Sequence, residues 1–141
     1  MDLNTGLLLY IPYRAMEQRV FTALADAGHD ITPAQARLFQ RIAPDGSRTS
    51  ELAEQAGVTK QTAGFLVEQL EKQGYVERVP DPADGRARLV RIAPRGAEAA
   101  EFAAKIVAEV EEEWRAHLGP ERMAQLRDAL MALREITDPW A

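Results

Sequence analysis

Cysteine is absent from the 141 residues. That removes disulfides, thiolate metal sites and thiol-oxidation switches. The two histidines, His29 and His117, stand far apart, and neither has a Glu-x-x-His or His-x-x-x-His neighbourhood, so no local motif holds a metal or poises a general base. A phosphate-cradling glycine loop is missing, and no serine or acidic pair has a hydrolase context. Neither an enzymatic activity nor a cofactor nor a metal site is expected. Long apolar runs are lacking too. Leu7-Leu8-Leu9 is too short to span a membrane, is followed by Arg14, Glu17 and Arg19, and has no basic region or cleavage site before it, which points to a cytoplasmic protein.

Nor is there a surplus of positive charge, since the formal net charge is -5. Its distribution matters more than its sum. Residues 1–47 hold 4 basic and 5 acidic side chains, residues 48–96 hold 8 and 7, and residues 97–141 hold 5 and 10. The negative charge sits in the tail, so local basic contacts to a polyanion remain open while long-range attraction is weakened.

With 46% hydrophobic and 28% charged residues, the chain is in the globular range and can bury one core or two small linked ones. Leu7, Leu8, Ile11, Met16, Val20 and Leu24 recur at helical spacing, with Pro12 an early-turn or kink position and Gly28 the stop. Thr32-Pro33-Ala34-Gln35 combines a hydroxyl cap, a proline suited to the first helical position and a capping-box partner. Leu38, Phe39 and Ile42 follow on one face, and Pro44-Asp45-Gly46 ends that helix. Thr49 starts a third helix carrying Leu52, Ala53 and Ala56, which Gly57 closes. Thr59 starts a fourth, with Ala63, Leu66, Val67 and Leu70 as its apolar stripe. So short a connection makes the third and fourth helices cross, as in a helix-turn-helix.

Gly74 closes the fourth helix. Tyr75-Val76-Glu77-Arg78-Val79 and Leu89-Val90-Arg91-Ile92 then mix β-formers with charges around the turn-forming stretch Pro80–Arg86 and read as a hairpin, or wing. After Pro94 the pattern is helical again, broken at Gly119-Pro120, with Met123, Leu126, Leu130 and Leu133 in the last helix. The terminal helices carry more apolar surface than a lone unit of this size covers, which implies a homodimer. The fold expected is mainly α with a small β-hairpin wing: a winged helix-turn-helix at residues 31–94, with helical dimerisation regions at 1–30 and 95–141.

Such a unit grips double-stranded DNA. Opposite its stripe, the fourth helix leaves Lys60 to neutralise phosphate, Gln61 to pair with adenine and Thr62 to bond a base edge or a phosphate. Gly64 permits close approach. Thr59 can cap the helix and present backbone N–H groups to a phosphate. Phe65 falls outside the stripe and is either the edge of the core or an apolar contact to thymine methyls. In the wing, Asp84 can brace Arg88 and leave Arg86 at the tip to enter a minor groove, with Arg78 and Arg91 as phosphate contacts. Arg48 and Thr49 can touch the DNA backbone, although capping alone explains the threonine. A rival reading keeps the winged helix and gives it a protein partner, with the acidic tail discouraging DNA.

Through Ile31-Thr32-Pro33-Ala34-Gln35, Glu51-Leu52-Ala53, Leu70–Val76 and Asp81-Pro82-Ala83-Asp84-Gly85-Arg86, the chain resembles the MarR family of bacterial winged-helix regulators. The resemblance runs from about Thr32 to Gly96. It implies a homodimer with intertwined terminal helices, a recognition helix per subunit in the major groove and a wing arginine, here Arg86, in the minor groove. It matches Asp84 and Arg88 to the family's bracing pair. It further implies repression relieved by a small aromatic or phenolic molecule. Tyr10, Tyr13, Arg14, His29 and Phe39 are candidates to hold one, each having ordinary packing or surface contact as its alternative role. Two positions depart from the pattern: Gly64-Phe65 stands where a polar or basic reader is common, and Ala93-Pro94 replaces a capping threonine.

Overall fold

The computed structural model describes residues 2–140; Met1 and Ala141, the outermost positions of the expected helical regions, lie outside them. Six helices and one two-stranded antiparallel sheet follow in the order α1 (Thr5–Asp26), α2 (Pro33–Phe39), α3 (Thr49–Ala56), α4 (Lys60–Lys72), β1 (Val76–Asp81), β2 (Asp84–Ile92), α5 (Pro94–Leu118) and α6 (Pro120–Thr137). The expected class is what is found. The chain forms two compact units, one of residues 21–103 and one of residues 1–20 with 104–141. Among the described residues no helix is long and apolar enough to cross a membrane.

Local chemistry sets most boundaries in the first unit. The Thr32 hydroxyl accepts from the Gln35 N–H at 3.1 Å, and the Gln35 side chain accepts from the Thr32 N–H at 3.1 Å, so two orphan donors of α2 are satisfied reciprocally. Thr59 caps α4 through the Thr62 N–H at 3.0 Å. Gly57 leaves α3 with φ 70°, a left-handed exit that a side chain would resist. The cap of α3 differs from expectation. Arg48, not Thr49, holds the cap position and offers no side-chain bond to the helix.

The core of this unit centres on Leu38, Leu52, Val67, Leu70, Tyr75 and Val90, all fully buried. Fully burying each aliphatic among them contributes about 1.5–3 kcal/mol. Gln35 reaches from α2 to Gln69 on α4 at 3.1 Å. His29 Nδ1 lies 2.9 Å from the Tyr75 hydroxyl, and both residues are buried. Gly96 sits so close to the Tyr75 carbonyl that an added Cβ would overlap it, with Phe39 Cε2 only 3.0 Å away on another side.

The hairpin is longer and its turn tighter than the sequence suggested, because only Pro82 and Ala83 lie between the strands. The reason is a pair of bonds to N–H groups two residues on: Asp81 accepts from Ala83 at 2.9 Å and Asp84 from Arg86 at 3.1 Å. The ladder pairs Val76 with Ile92, Arg78 with Val90 and Pro80 with Arg88, then jumps to Asp81 with Asp84. Gly85, Arg86 and Ala87 therefore bulge out of β2 without partners on β1. Ser47, ahead of α3, adds an isolated bridge to Val90 with bonds of 3.0 and 2.7 Å, which the sequence did not announce.

The second unit contains the first part of α1, most of α5 and all of α6. Asn4 caps α1, its side chain accepting from the Leu7 N–H at 2.8 Å, and Pro12 lies inside the helix. Pro120 opens α6 after Gly119 at φ 88°. Val110 and Met123 are buried, whereas Leu8, Ile11, Leu130, Met131 and Leu133 stay exposed. An apolar groove of about 850 Å³ runs through the unit, lined among others by Leu8, Tyr10, Tyr13, Trp114, His117 and Leu130.

Candidate nucleic-acid interface

Helix α4 buries Ala63, Leu66, Val67 and Leu70 and leaves Lys60, Gln61, Thr62 and Phe65 exposed. At about 100° per residue, Gln61, Phe65, Glu68 and Lys72 fall on the line opposite the buried stripe, while Lys60 and Thr62 flank it. The edge-of-core alternative for Phe65 fails, because 60% of the residue is exposed. Nothing lies within 4 Å of a Cβ built on Gly64, so packing within the chain does not require glycine there. Thr59 spends its hydroxyl locally: it accepts from the Thr62 N–H and donates to Thr62 Oγ1 at 3.0 Å. The Thr62 hydroxyl hydrogen is thereby left for an outside acceptor. Lys60 stands at the positive end of the helix with no acidic partner among the described residues.

In the wing, the expected brace between Asp84 and Arg88 is not formed. Asp84 is turned to its own turn instead, accepting from the Arg86 N–H at 3.1 Å. The brace comes instead from Arg48, whose Nη2 and Nε meet Asp81 Oδ2 at 2.8 and 3.0 Å, with Asp84 at 4.0 Å. Asp81 is buried. The Ala83 N–H first, and then the hydrogen bond from Arg48, hold its carboxyl below the ordinary aspartate value. The same bond raises Arg48. Arg48 thus ties the start of α3 to the wing, rather than standing free for a DNA backbone, and Thr49 is half-buried beside it at the first turn. Cap statistics cannot find this pair, since 33 residues separate its members.

Two other strand arginines are also engaged. Arg78 shares the inner face with Val76 and Val90 and lies 3.7 Å from Glu71 of α4. Arg91 meets the directly opposed Glu77 at 2.7 Å. Arg86 and Arg88, by contrast, are exposed and have no acidic partner among the described residues. Arg86 sits on the bulge of β2 rather than in the turn.

The five candidate effector residues fall in both units, Tyr10, Tyr13 and Arg14 in the one of residues 1–20 with 104–141 and His29 and Phe39 in the other. Tyr10 and Tyr13 line the groove of the terminal-helix unit, and Arg14 is exposed on α1 but does not line it. His29 is occupied by Tyr75, and Phe39 packs near Gly96.

The match to the MarR family model covers residues 29–87. Over 93% of its length the chain is 32% identical to transcriptional regulator Tm0710 from Thermotoga maritima, of which 92% is covered, with a TM-score of 0.68. The chain belongs to the MarR family. Members of that family regulate transcription. Wild-type apo MarR from E. coli shares the fold at 24% identity and TM-score 0.73, with 94% of this chain and 98% of that one covered. A point mutant of S. aureus MepR bound to an oligodeoxyribonucleotide shares it at 21% identity and TM-score 0.65, with coverage of 95% and 98%. No curated protein matches the chain. In this MarR-family regulator the matched residues hold the helix-turn-helix, β1 and the first part of β2, and its departure from the pattern at Gly64-Phe65 lies on the exposed face of α4.

Proposed function

We propose that this regulator is a cytoplasmic homodimer that represses transcription by binding a pseudo-palindromic operator, and that a small aromatic or phenolic molecule relieves the repression. One observation carries the reading: α4 presents Lys60, Gln61, Thr62 and Phe65 to solvent while the wing holds Arg86 and Arg88 without acidic partners among the described residues. Unpaired cations beside hydrogen-bonding side chains suit phosphate and base edges. The wing brace of Arg48 and Asp81 supports a rigid insertion of Arg86 into a minor groove. In this reading residues 31–94 bind DNA and residues 1–30 with 95–141 join the protomers. The exposed apolar side chains of the terminal helices, and the groove among them, are the surface a second copy would cover. Two half-sites about 34–36 Å apart would then be engaged at once. A ligand held near Tyr10 and Tyr13 would act by favouring a dimer in which that spacing is wrong.

Gel-shift titration at several salt concentrations, on duplexes selected by the protein from a randomised pool, tests the reading. A specific complex whose log affinity falls linearly with log salt is expected, and Arg86→Ala should weaken it and reduce the slope by about one. If no duplex is retained at low salt, the winged helix serves a protein partner instead.

A further inference from the structure

Among the described residues, Phe65 is the only large apolar side chain of residues 21–103 left strongly exposed; the others lie in the terminal-helix unit. It projects from the middle of the outward line of α4, one turn after Gln61. The next turn on the same line closes on itself, since Lys72 pairs with Glu68 at 3.3 Å. Gln61 and Phe65 are thus the residues of that line free to meet a ligand. Gly64, beside Phe65, adds no side chain, and the space a Cβ would take is empty. An aromatic ring beside an amide, on a helix that can come unusually close to its target, suits an A·T-rich stretch. In the major groove thymine alone presents a methyl group, and adenine alone offers the N7 acceptor and N6 donor that an amide matches.

We propose that Phe65 reads a thymine in each operator half-site through the C5 methyl group, with Gln61 on an adenine of the neighbouring step. This inference rests on α4 being the recognition helix. A partner protein on the same face is the competing occupant, and it makes no use of a base methyl.

The test uses the full-length protein and a duplex it selects from a randomised pool. Each dT is replaced singly by dU, which deletes the methyl and leaves the pairing edge intact. At one position per half-site dU should weaken wild-type binding about fourfold, the transfer free energy of one buried methyl, and about 16-fold when placed in both half-sites. Phe65→Ala, a change at an exposed position, should bind the dT and dU duplexes equally. Indifference of the wild type to dU at every position, or an unchanged dU sensitivity in Phe65→Ala, overturns the thymine contact while leaving DNA binding in place. Failure of the wild type to select any duplex removes the recognition helix itself, and the inference with it.

Discussion

Gly64 separates what the fold needs from what a bound duplex needs. A glycine inside a helix is less stable than alanine by about 0.5–1 kcal/mol, and no neighbouring atom within 4 Å forbids a Cβ at this position. Gly64→Ala should therefore raise the unfolding free energy by about that amount in urea titration and, if α4 lies close to the bases, lower operator affinity. A variant that gains stability and binds DNA as well as before would show that close approach is not the reason for the glycine. Asp81 gives the second test at this scale. Its carboxyl is held below the ordinary value of 3.8, so the stability it contributes is present above that value and lost as pH falls through the lowered one. Asp81→Asn should melt below wild type at pH 6, and the gap should close once the pH drops under the folded-state value. A gap that persists in strong acid would mean that packing, not the charge on Asp81, stabilises the wing.

At the level of elements, what could be read from the residues was what local spacing determines. Thr32 with Gln35, Thr59 with the next turn, and Gly57 act within four positions of themselves, so their roles were legible in the order of residues alone. The pairing of Arg48 with Asp81 was not, because the sequence does not say which of the two wing carboxylates faces a cation brought from before α3. The bulge at Arg86 escaped for a related reason: the two aspartate bonds that tighten the turn shift the register by three residues. Phe65 was ambiguous because its helical angle lies away from the core stripe but hydrophobicity alone argues for burial. The junction between β2 and α5 has its own test. Gly96 packs against the Tyr75 carbonyl, which also accepts the Ala93 N–H at 3.0 Å. Because Gly96→Ala must push backbone rather than a flexible tip, it should destabilise by about 1–3 kcal/mol in chemical denaturation. A loss well under the lower end of that range would show that the strand-to-helix junction is looser than its contacts imply.

For the molecule as a whole, stability and assembly are separable because the groups proposed to join the protomers are not buried by the single chain. Leu8 and Leu130 line the same groove and are 52% and 41% exposed. A carboxylate at either position stays in water in the isolated protomer, and surface changes of that kind usually shift stability by no more than about 0.5 kcal/mol. Inside a two-fold interface each substitution occurs twice, and each uncompensated buried charge costs about 3–5 kcal/mol. Leu8→Glu with Leu130→Glu should thus weaken self-association by several orders of magnitude while leaving the helical content of each chain intact. In sedimentation the wild type should run at twice the 15.6 kDa of the chain and the double variant at once. Operator affinity should fall in parallel, since a single recognition helix engages one half-site and forfeits the gain from simultaneous contact. A double variant that keeps the wild-type mass would move the protomer interface away from this groove. One that becomes monomeric yet binds the operator undiminished would leave the wing and α4 as a reader that needs no second copy.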